Sequence, residues 1–256
     1  MTMRIDIATL FVGMCEAVLS ESIIGRARRS GFLDIHCHNI RDYTLNRQAR
    51  VDDAPYGGSH GMVMQADPIF RCYEGVCRQI GGQPYVVYLS PQGRVFRQQT
   101  AREFLQHENL LLLCGHYEGV DERVIQEIVD EEISIGDYVL TGGELGALVV
   151  TDAVSRLCDG VLAADECFED ESHYSGLLEH PQYTRPAVWH AREVPPVLLS
   201  GHHANIVRWR REQSLLRTRQ KRPDMLTTAP LTQEDRKFLV RSALEKGNDP
   251  RPDGEN

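Results

Sequence analysis

The chain has 256 residues, of which 41% are hydrophobic and 25% charged, and a formal net charge of −9. This composition is ordinary for one large or two small globular domains. It contains no run near the roughly 20 apolar residues of a membrane span, and its acidic balance argues against nucleic-acid binding by bulk charge alone.

In chain order, Arg4 to Leu10 alternates apolar and polar residues as a strand does. Glu21 to Ser30 is compatible with a helix that stops before Gly31, and Leu33 to Asn39 reads as the next strand. Pro68 to Ile80 has helical spacing with proline in its first turn. Tyr85 to Leu89 and Leu110 to Cys114 are short apolar runs, the form taken by parallel strands covered on both faces. Asp121 is placed to cap a helix through Arg123, Val124 and Ile128. Val139 to Leu140 is expected to end a further strand, and Glu144 to Leu157 to form a helix after two glycines. Together these elements predict an α/β domain with a mainly parallel sheet over residues 1–162. The acidic, aperiodic stretch 163–175 reads as a flexible linker. Residues 176–246 read as a small helical domain. It includes a helix over His203 to Gln220, and another starting at Thr232 with Phe238, Leu239 and Leu244 as its apolar side. The tail 247–256 is expected to be disordered.

Charge is unevenly placed. From Arg185 to Arg222 there are nine basic and two acidic residues, a local +7, which suits either a phosphate backbone or a solvated helical face. The start of the chain lacks the features of a secretory signal, so a cytoplasmic location is expected. Seven scattered cysteines without a C-x-x-C pair read as reduced thiols, and Cys114 as packing within a strand. His36, Cys37 and His38 alternate along a strand, which disfavours a shared metal.

The common nucleotide fingerprints G-x-G-x-x-G and G-x-x-x-x-G-K-[ST] are absent. Instead, three glycine-bearing loops each follow an expected strand: YLSPQG (Tyr88 to Gly93), CGHYEG (Cys114 to Gly119) and SIGDYVLTGGELGA (Ser134 to Ala147). Ligands of α/β sheets gather beyond the carboxyl ends of strands. Three such loops can line a pocket with backbone N–H and C=O groups, which suits an adenosine.

These strings occur in order with VDDAPYGGSHGM (Val51 to Met62), GLLEHPQYTRP (Gly176 to Pro186), PPVLLSGHHANI (Pro195 to Ile206) and KRPDML (Lys221 to Leu226). Together they resemble the TrmD family of bacterial tRNA (guanine-N1)-methyltransferases over about Arg4 to Leu244. The resemblance implies a deep trefoil knot, contrary to the general rarity of knots. It also implies a homodimer and a requirement for magnesium, whose ligands it does not identify. The reaction it implies is methyl transfer from S-adenosylmethionine to nitrogen-1 of the guanosine at position 37 of tRNA, beside the anticodon, in support of reading-frame maintenance.

Carried onto this chain, the family's cofactor-binding positions are Tyr88, Leu89, Ser90, Gly115, Tyr117, Glu118, Ile135, Gly136, Asp137, Tyr138, Val139, Leu140, Gly142 and Gly143. Glu118 suits the cationic methionine end. Guanine nitrogen-1 must lose a proton as the methyl arrives, which calls for a carboxylate base and a cation beside the developing oxyanion. Arg156 matches the family's arginine. The base is Glu171, which stands where the family has aspartate, or the neighbouring Asp170. Substrate contacts fall on Asp52, Gly58, Ser59 and Gly61 for the guanine, with Arg185, Arg208, Arg210 and Arg217 for tRNA phosphates; Asp53, Arg219 and Arg222 are further candidates. The chain departs from the family pattern at Ser59 and His60, which interrupt a glycine run, and at Val12 in place of proline. A knotted enzyme with another RNA target and a noncatalytic tRNA-binding protein are the competing readings.

Overall fold

Leu110 to Leu113 explains the architecture of the first part of the chain. Four consecutive leucines point alternately to opposite faces of a strand, and all four are buried, so both faces of that strand are covered. The computed structural model describes residues 2–58, 60–162 and 171–247. The chain divides into two units, Met1–Ala164 and Asp165–Asn256.

The first unit runs β1 (Met3–Thr9), α1 (Val12–Leu19), α2 (Ser22–Arg29), β2 (Leu33–Asn39), a 3-10 turn (Ile40–Tyr43), β3 (Asp52–Asp53), β4 (Val63–Met64) and α3 (Ala66–Ile80). It continues with β5 (Tyr85–Val95), α4 (Gln98–Phe104), β6 (Asn109–Cys114), α5 (Glu122–Ile128), β7 (Glu131–Ser134) and α6 (Glu144–Ser155). The sheet order is β2-β1-β6-β5-β7, and every pairing is parallel, as the apolar runs predict. On one face Ile5, Ile7, Leu110 and Leu112 pack with Leu19 of α1, Phe104 of α4 and Val150 of α6. On the other, Ala8, Leu111 and Leu113 pack with Ile69 and Val76 of α3 and Val124 of α5. Each buried leucine or isoleucine contributes about 1.5–3 kcal/mol of transfer free energy, so this double core carries the unit.

Polar groups inside the sheet are paired. Asp6 is fully buried. It accepts Arg4 through both oxygens at 2.9 Å and faces His38 Nε2 at 2.6 Å. His36 instead pairs with Asp34 at 2.7 Å. Neither histidine belongs to a metal-holding cluster among the described residues.

One expectation is corrected here. Val139 and Leu140 do not end a strand. The last strand of this sheet is β7, and Val139 lies in the loop beyond it with 85% of its surface exposed; an apolar pair in a ligand-facing loop imitates a strand. α1 and α4 carry no prior expectation, being short helices without a clear periodic stripe.

The second unit begins with turns in which Glu179 N–H donates to Ser172 Oγ and His173 N–H to Leu177 O. A hairpin of β8 (Val188–Trp189) and β9 (Arg192–Glu193) follows, then α7 (Pro196–Leu199), α8 (His203–Lys221), a 3-10 turn (Pro223–Thr227) and α9 (Gln233–Gly247). The α9 start is a reciprocal cap: Asp235 N–H donates to Thr232 Oγ1, and Thr232 N–H to Asp235 Oδ2. The buried side of α9 differs from expectation. Asp235 and Ser242 are buried while Leu244 is 70% exposed, because arginines of α8 reach across: Arg211 holds Asp235 through two bonds, and Arg219 donates to Ser242 Oγ and Leu239 O. The linker segment 163–170 and the tail 248–256 lie outside the described residues.

Candidate functional site

The second and third glycine-bearing strings follow β6 and β7, while the first does not follow a strand ending at Leu89 as expected but lies inside β5, at the break in register between Leu89 and Arg94; the three converge. Gly143 N–H donates to Gly115 O at 2.9 Å, and His116 bridges Gly142 in antiparallel fashion, so the second loop and the start of α6 are stitched together. Phe96 N–H donates to Ser134 O at 2.7 Å, tying the end of β5 to β7. Between them lies a cavity of about 270 Å³.

Its walls include Tyr88, Leu89 and Ser90 from the first loop and Gly115, Tyr117 and Glu118 from the second. The third contributes Ile135, Gly136, Tyr138, Val139, Leu140, Gly142 and Gly143. Every expected cofactor residue but Asp137 thus stands around one hollow, and Asp137 is not among the lining residues. Sequence reasoning missed His116, Glu122 and Glu132, which line it too. His116 sits inside a quoted string and was passed over; Glu122 and Glu132 belong to a helix and a strand whose only sequence signal was structural.

The electrostatics favour a cation. Glu118, Glu122 and Glu132 bring three carboxylates to the walls. Burial, and then the charges of Glu132 and Glu122, push the Tyr88 phenol up to about 12, so it remains a neutral donor at physiological pH. Burial holds the Cys114 thiol well above its ordinary range, and the nearby Glu144 adds to this; it is packing and not a nucleophile. His116 Nδ1 is buried without a hydrogen-bond partner, a polar atom in the wall that a bound ligand can satisfy.

The expected substrate loop packs against Glu118, one of the residues that line the cavity. β3 and β4 pair antiparallel through Asp52 with Met64 and Asp53 with Val63. Glu118 N–H donates to Met62 O, and Met64 N–H to Gly119 O. Gly61 has φ +93°, and a Cβ there would lie 2.4 Å from Glu118 Cγ. Only glycine lets this loop close on that carboxylate. Gly58 lies nearby with φ +77°; Ser59 is outside the described residues.

Of the three catalytic candidates, Arg156 stands at the far end of the helix whose start lines this hollow. Arg156 is the C-terminal cap of α6, while Gly143 and Gly146 at the other end line the cavity. At 1.5 Å per residue, the helix separates them by roughly 18 Å. Glu171 belongs to the second unit, half-buried in its opening turns, and Asp170 lies outside the described residues.

Of the expected phosphate-binding arginines, Arg185, Arg208 and Arg210 are exposed, and Arg217 is half-buried with a 3.5 Å bond to Glu179 O. Arg208 and Arg210 are two residues apart and so point to nearly opposite sides of α8, whereas Arg210 and Arg217 share a side. Arg219 is engaged with α9, and Arg222 pairs with Asp224.

Comparison with known proteins agrees with this geometry. A sequence profile described as tRNA (Guanine-1)-methyltransferase TrmD matches residues 3–228. A tRNA (guanine-N(1)-)-methyltransferase of Ruminiclostridium cellulolyticum is 54% identical over 228 residues, covering 89% of this chain and 98% of the relative. One from Alkaliphilus oremlandii is 53% identical over 249 residues, covering 95% and 100%. The crystal structure of a tRNA (m1G37) methyltransferase from Aquifex aeolicus superposes with a TM-score of 0.72 at 36% identity, covering 89% of this chain and 96% of that one.

Proposed function

The chain belongs to the tRNA (guanine-1)-methyltransferase TrmD family; it is an enzyme that methylates nitrogen-1 of guanosine 37 in tRNA, and we propose how its residues divide that work. S-adenosylmethionine is the methyl donor, and its sulfonium supplies an already electrophilic methyl group. The observation that carries the assignment is the one cavity shared by three glycine-bearing strings, with Gly61 packed against Glu118 in its wall. Backbone groups of Leu89, Gly115, Tyr138 and Leu140 would hold the donor's adenosine, and the Glu118 carboxylate would complement its ammonium group. The unpartnered His116 Nδ1 and the acidic walls fit such a ligand. We assign the family's trefoil knot to the interlaced first, second and third loops, supported by the bonds between Gly143 and Gly115 and between Phe96 and Ser134.

Asp52, Gly58 and Gly61 cradle the guanine. Glu171 or Asp170 takes the nitrogen-1 proton, and Arg156 hydrogen-bonds the neighbouring oxygen as negative charge moves onto it. The roughly 18 Å length of α6 argues that Arg156 serves a cavity other than its own. A homodimer resolves this, and the exposed apolar side chains Phe11, Met14 and Val18 along α1 with Leu145 and Val149 along α6 supply a surface for it. Two copies joined there with their α6 helices antiparallel bring each Arg156 toward the other's cavity. Among the described residues no three histidine, cysteine or carboxylate side chains are grouped to hold a metal. No described helix is long and apolar enough to cross a membrane.

The decisive assay is transfer of labelled methyl from S-adenosylmethionine to tRNA transcripts carrying guanosine after the anticodon, with the modified nucleotide mapped. Label on guanosine 37 is expected; label on another nucleotide, or none with folded protein, overturns the assignment.

A further inference from the structure

The β8–β9 hairpin is held in a conformation that its own sequence resists. Its two turn residues, His190 and Ala191, have φ +49° and +60°. A two-residue hairpin turn demands positive φ at both positions, and Asn-Gly is its usual sequence because most other side chains are strained there. Neither residue compensates by packing, for both are exposed. Strain maintained at a turn that builds no core points to what the turn presents.

What it presents is Trp189, 61% exposed. Trp189 pairs in register with Arg192, while Val188 pairs with Glu193. Directly opposed residues emerge on one face of a hairpin, so one face carries an indole and a guanidinium while the acidic side chain lies on the other. The His190 ring adds a third planar group, its centroid 4.4 Å from that of Trp189. Arg185 is exposed in the bend that precedes β8, and the whole stretch lies in the +7 segment.

We propose that the Trp189–Arg192 face is a stacking platform for an unpaired nucleotide of the tRNA, distinct from the guanosine that is methylated. An indole plane stacks any base, a guanidinium beside it adds cation–π and phosphate attraction, and a paired duplex offers no free base to either. The positive charge selects nucleic acid over an apolar protein surface. The inference rests on tRNA being the substrate, yet it is read without turnover.

The chain has two tryptophans, so in a Trp209→Phe protein excited at the red edge, where tyrosine does not absorb, Trp189 is the sole emitter. A tRNA anticodon stem-loop transcript is expected to quench it saturably, and a blunt RNA duplex of equal length to leave it unchanged. In the otherwise unaltered enzyme, Trp189→Ala should raise KM for tRNA about tenfold, the scale of one lost base stack, with kcat within about twofold and cofactor affinity unchanged; Trp189→Phe should restore most of the loss. Equal quenching by duplex, no quenching where filter retention shows the stem-loop bound, or an unchanged KM for Trp189→Ala overturns the platform. Emission that shifts with protein concentration alone, with Trp189→Ala weakening self-association, assigns the face to a second copy and also overturns it. Quenching without any methyl transfer would sink the enzymatic reading and leave the platform standing.

Discussion

Thr9 donates its hydroxyl to Glu144 Oε1 at 2.8 Å, deep in a core where Thr9 is 0% and Glu144 4% exposed. The bond ties the end of the first strand to the first turn of the helix that follows the third glycine loop. A carboxylate is favourable there, because the amino end of a helix carries partial positive charge. Its other oxygen occupies the room left by Gly142, where a Cβ would come within 2.4 Å of Glu144 Oε2 and 2.8 Å of His116 Nδ1.

Thr9→Val removes the donor and leaves a buried carboxylate oxygen unpaired, a loss of about 1–3 kcal/mol. It should appear as a lower urea midpoint at unchanged slope. Gly142→Ala should instead weaken S-adenosylmethionine binding, measured by calorimetry, by about tenfold or more, since the loop must retreat from the cavity wall. A midpoint unmoved in the first variant, or native affinity in the second, would show that this buried pair does not brace the loop.

Gly61→Ala tests the junction between the guanine loop and the cofactor cavity. Alanine is strained at φ +93° and collides with the Glu118 side chain. The expected result is a fall in kcat/KM for tRNA of at least about tenfold with the thermal midpoint little changed, because the loop is at the surface. Steady-state kinetics equal to wild type would mean that the loop accommodates a methyl group and that Glu118 does not depend on it.

The sheet and its helices were legible because burial on both faces leaves unbroken apolar runs, as in Leu110 to Cys114, and because Gly31 and Asp121 mark helix ends. What stayed hidden has physical reasons. Val139 and Leu140 look like a strand but line a loop, since a ligand pocket also recruits apolar side chains. Asp235 and Ser242 form the inner side of α9 because arginines of the preceding helix, α8, satisfy them, which the periodicity of α9 does not encode. The β8–β9 hairpin carries no Asn-Gly signal at its turn. The loops of the site were recognisable as strings, but the separation of Arg156 from its own cavity follows from the three-dimensional course of α6.

Arg156→Ala should cut kcat by about 10²–10³, the scale of a lost oxyanion donor, while cofactor affinity stays within a few fold. Glu171→Gln and Asp170→Asn, compared in single-turnover assays, identify the base by which one abolishes the rate; full activity in both excludes either acting alone. If Arg156 serves the partner's cavity, then at S-adenosylmethionine too dilute to load the Gly142→Ala cavity, mixing an Arg156→Ala subunit with a Gly142→Ala subunit should recover up to about a quarter of wild-type activity through hybrid dimers, half of the population having one intact site. No recovery after subunit exchange would place Arg156 at its own subunit's site.

Acid stability should depend on Asp6. Burial alone would raise its pKa, but hydrogen bonds from His38 and Arg4 outweigh burial and hold the carboxyl below its ordinary range. A depressed carboxylate pKa contributes stability that is present above the unfolded value, about 3.9, and is lost as pH falls through the folded value. Asp6→Asn should therefore be less stable than wild type at pH 7, with the gap narrowing below about pH 4. Urea titrations at a series of pH values check this; a gap constant down to pH 3 would remove Asp6 from the acid response.

Ala191→Gly separates the strain of the hairpin from its use. Glycine takes φ +60° without the clash between Cβ and the carbonyl that an L-residue suffers, a relief of about 1 kcal/mol, partly offset by the greater freedom of glycine in the unfolded chain. The variant should thus melt at or slightly above the wild-type temperature in differential scanning calorimetry. If the turn serves only to reverse the chain, methyl transfer is unaffected. If it holds Trp189 at a fixed angle to Arg192, the looser glycine turn raises KM for tRNA modestly while leaving kcat alone, and Trp189→Ala added to Ala191→Gly costs no more than Trp189→Ala by itself. Additive losses in KM would instead mean that the backbone at residue 191 touches the RNA independently of the indole.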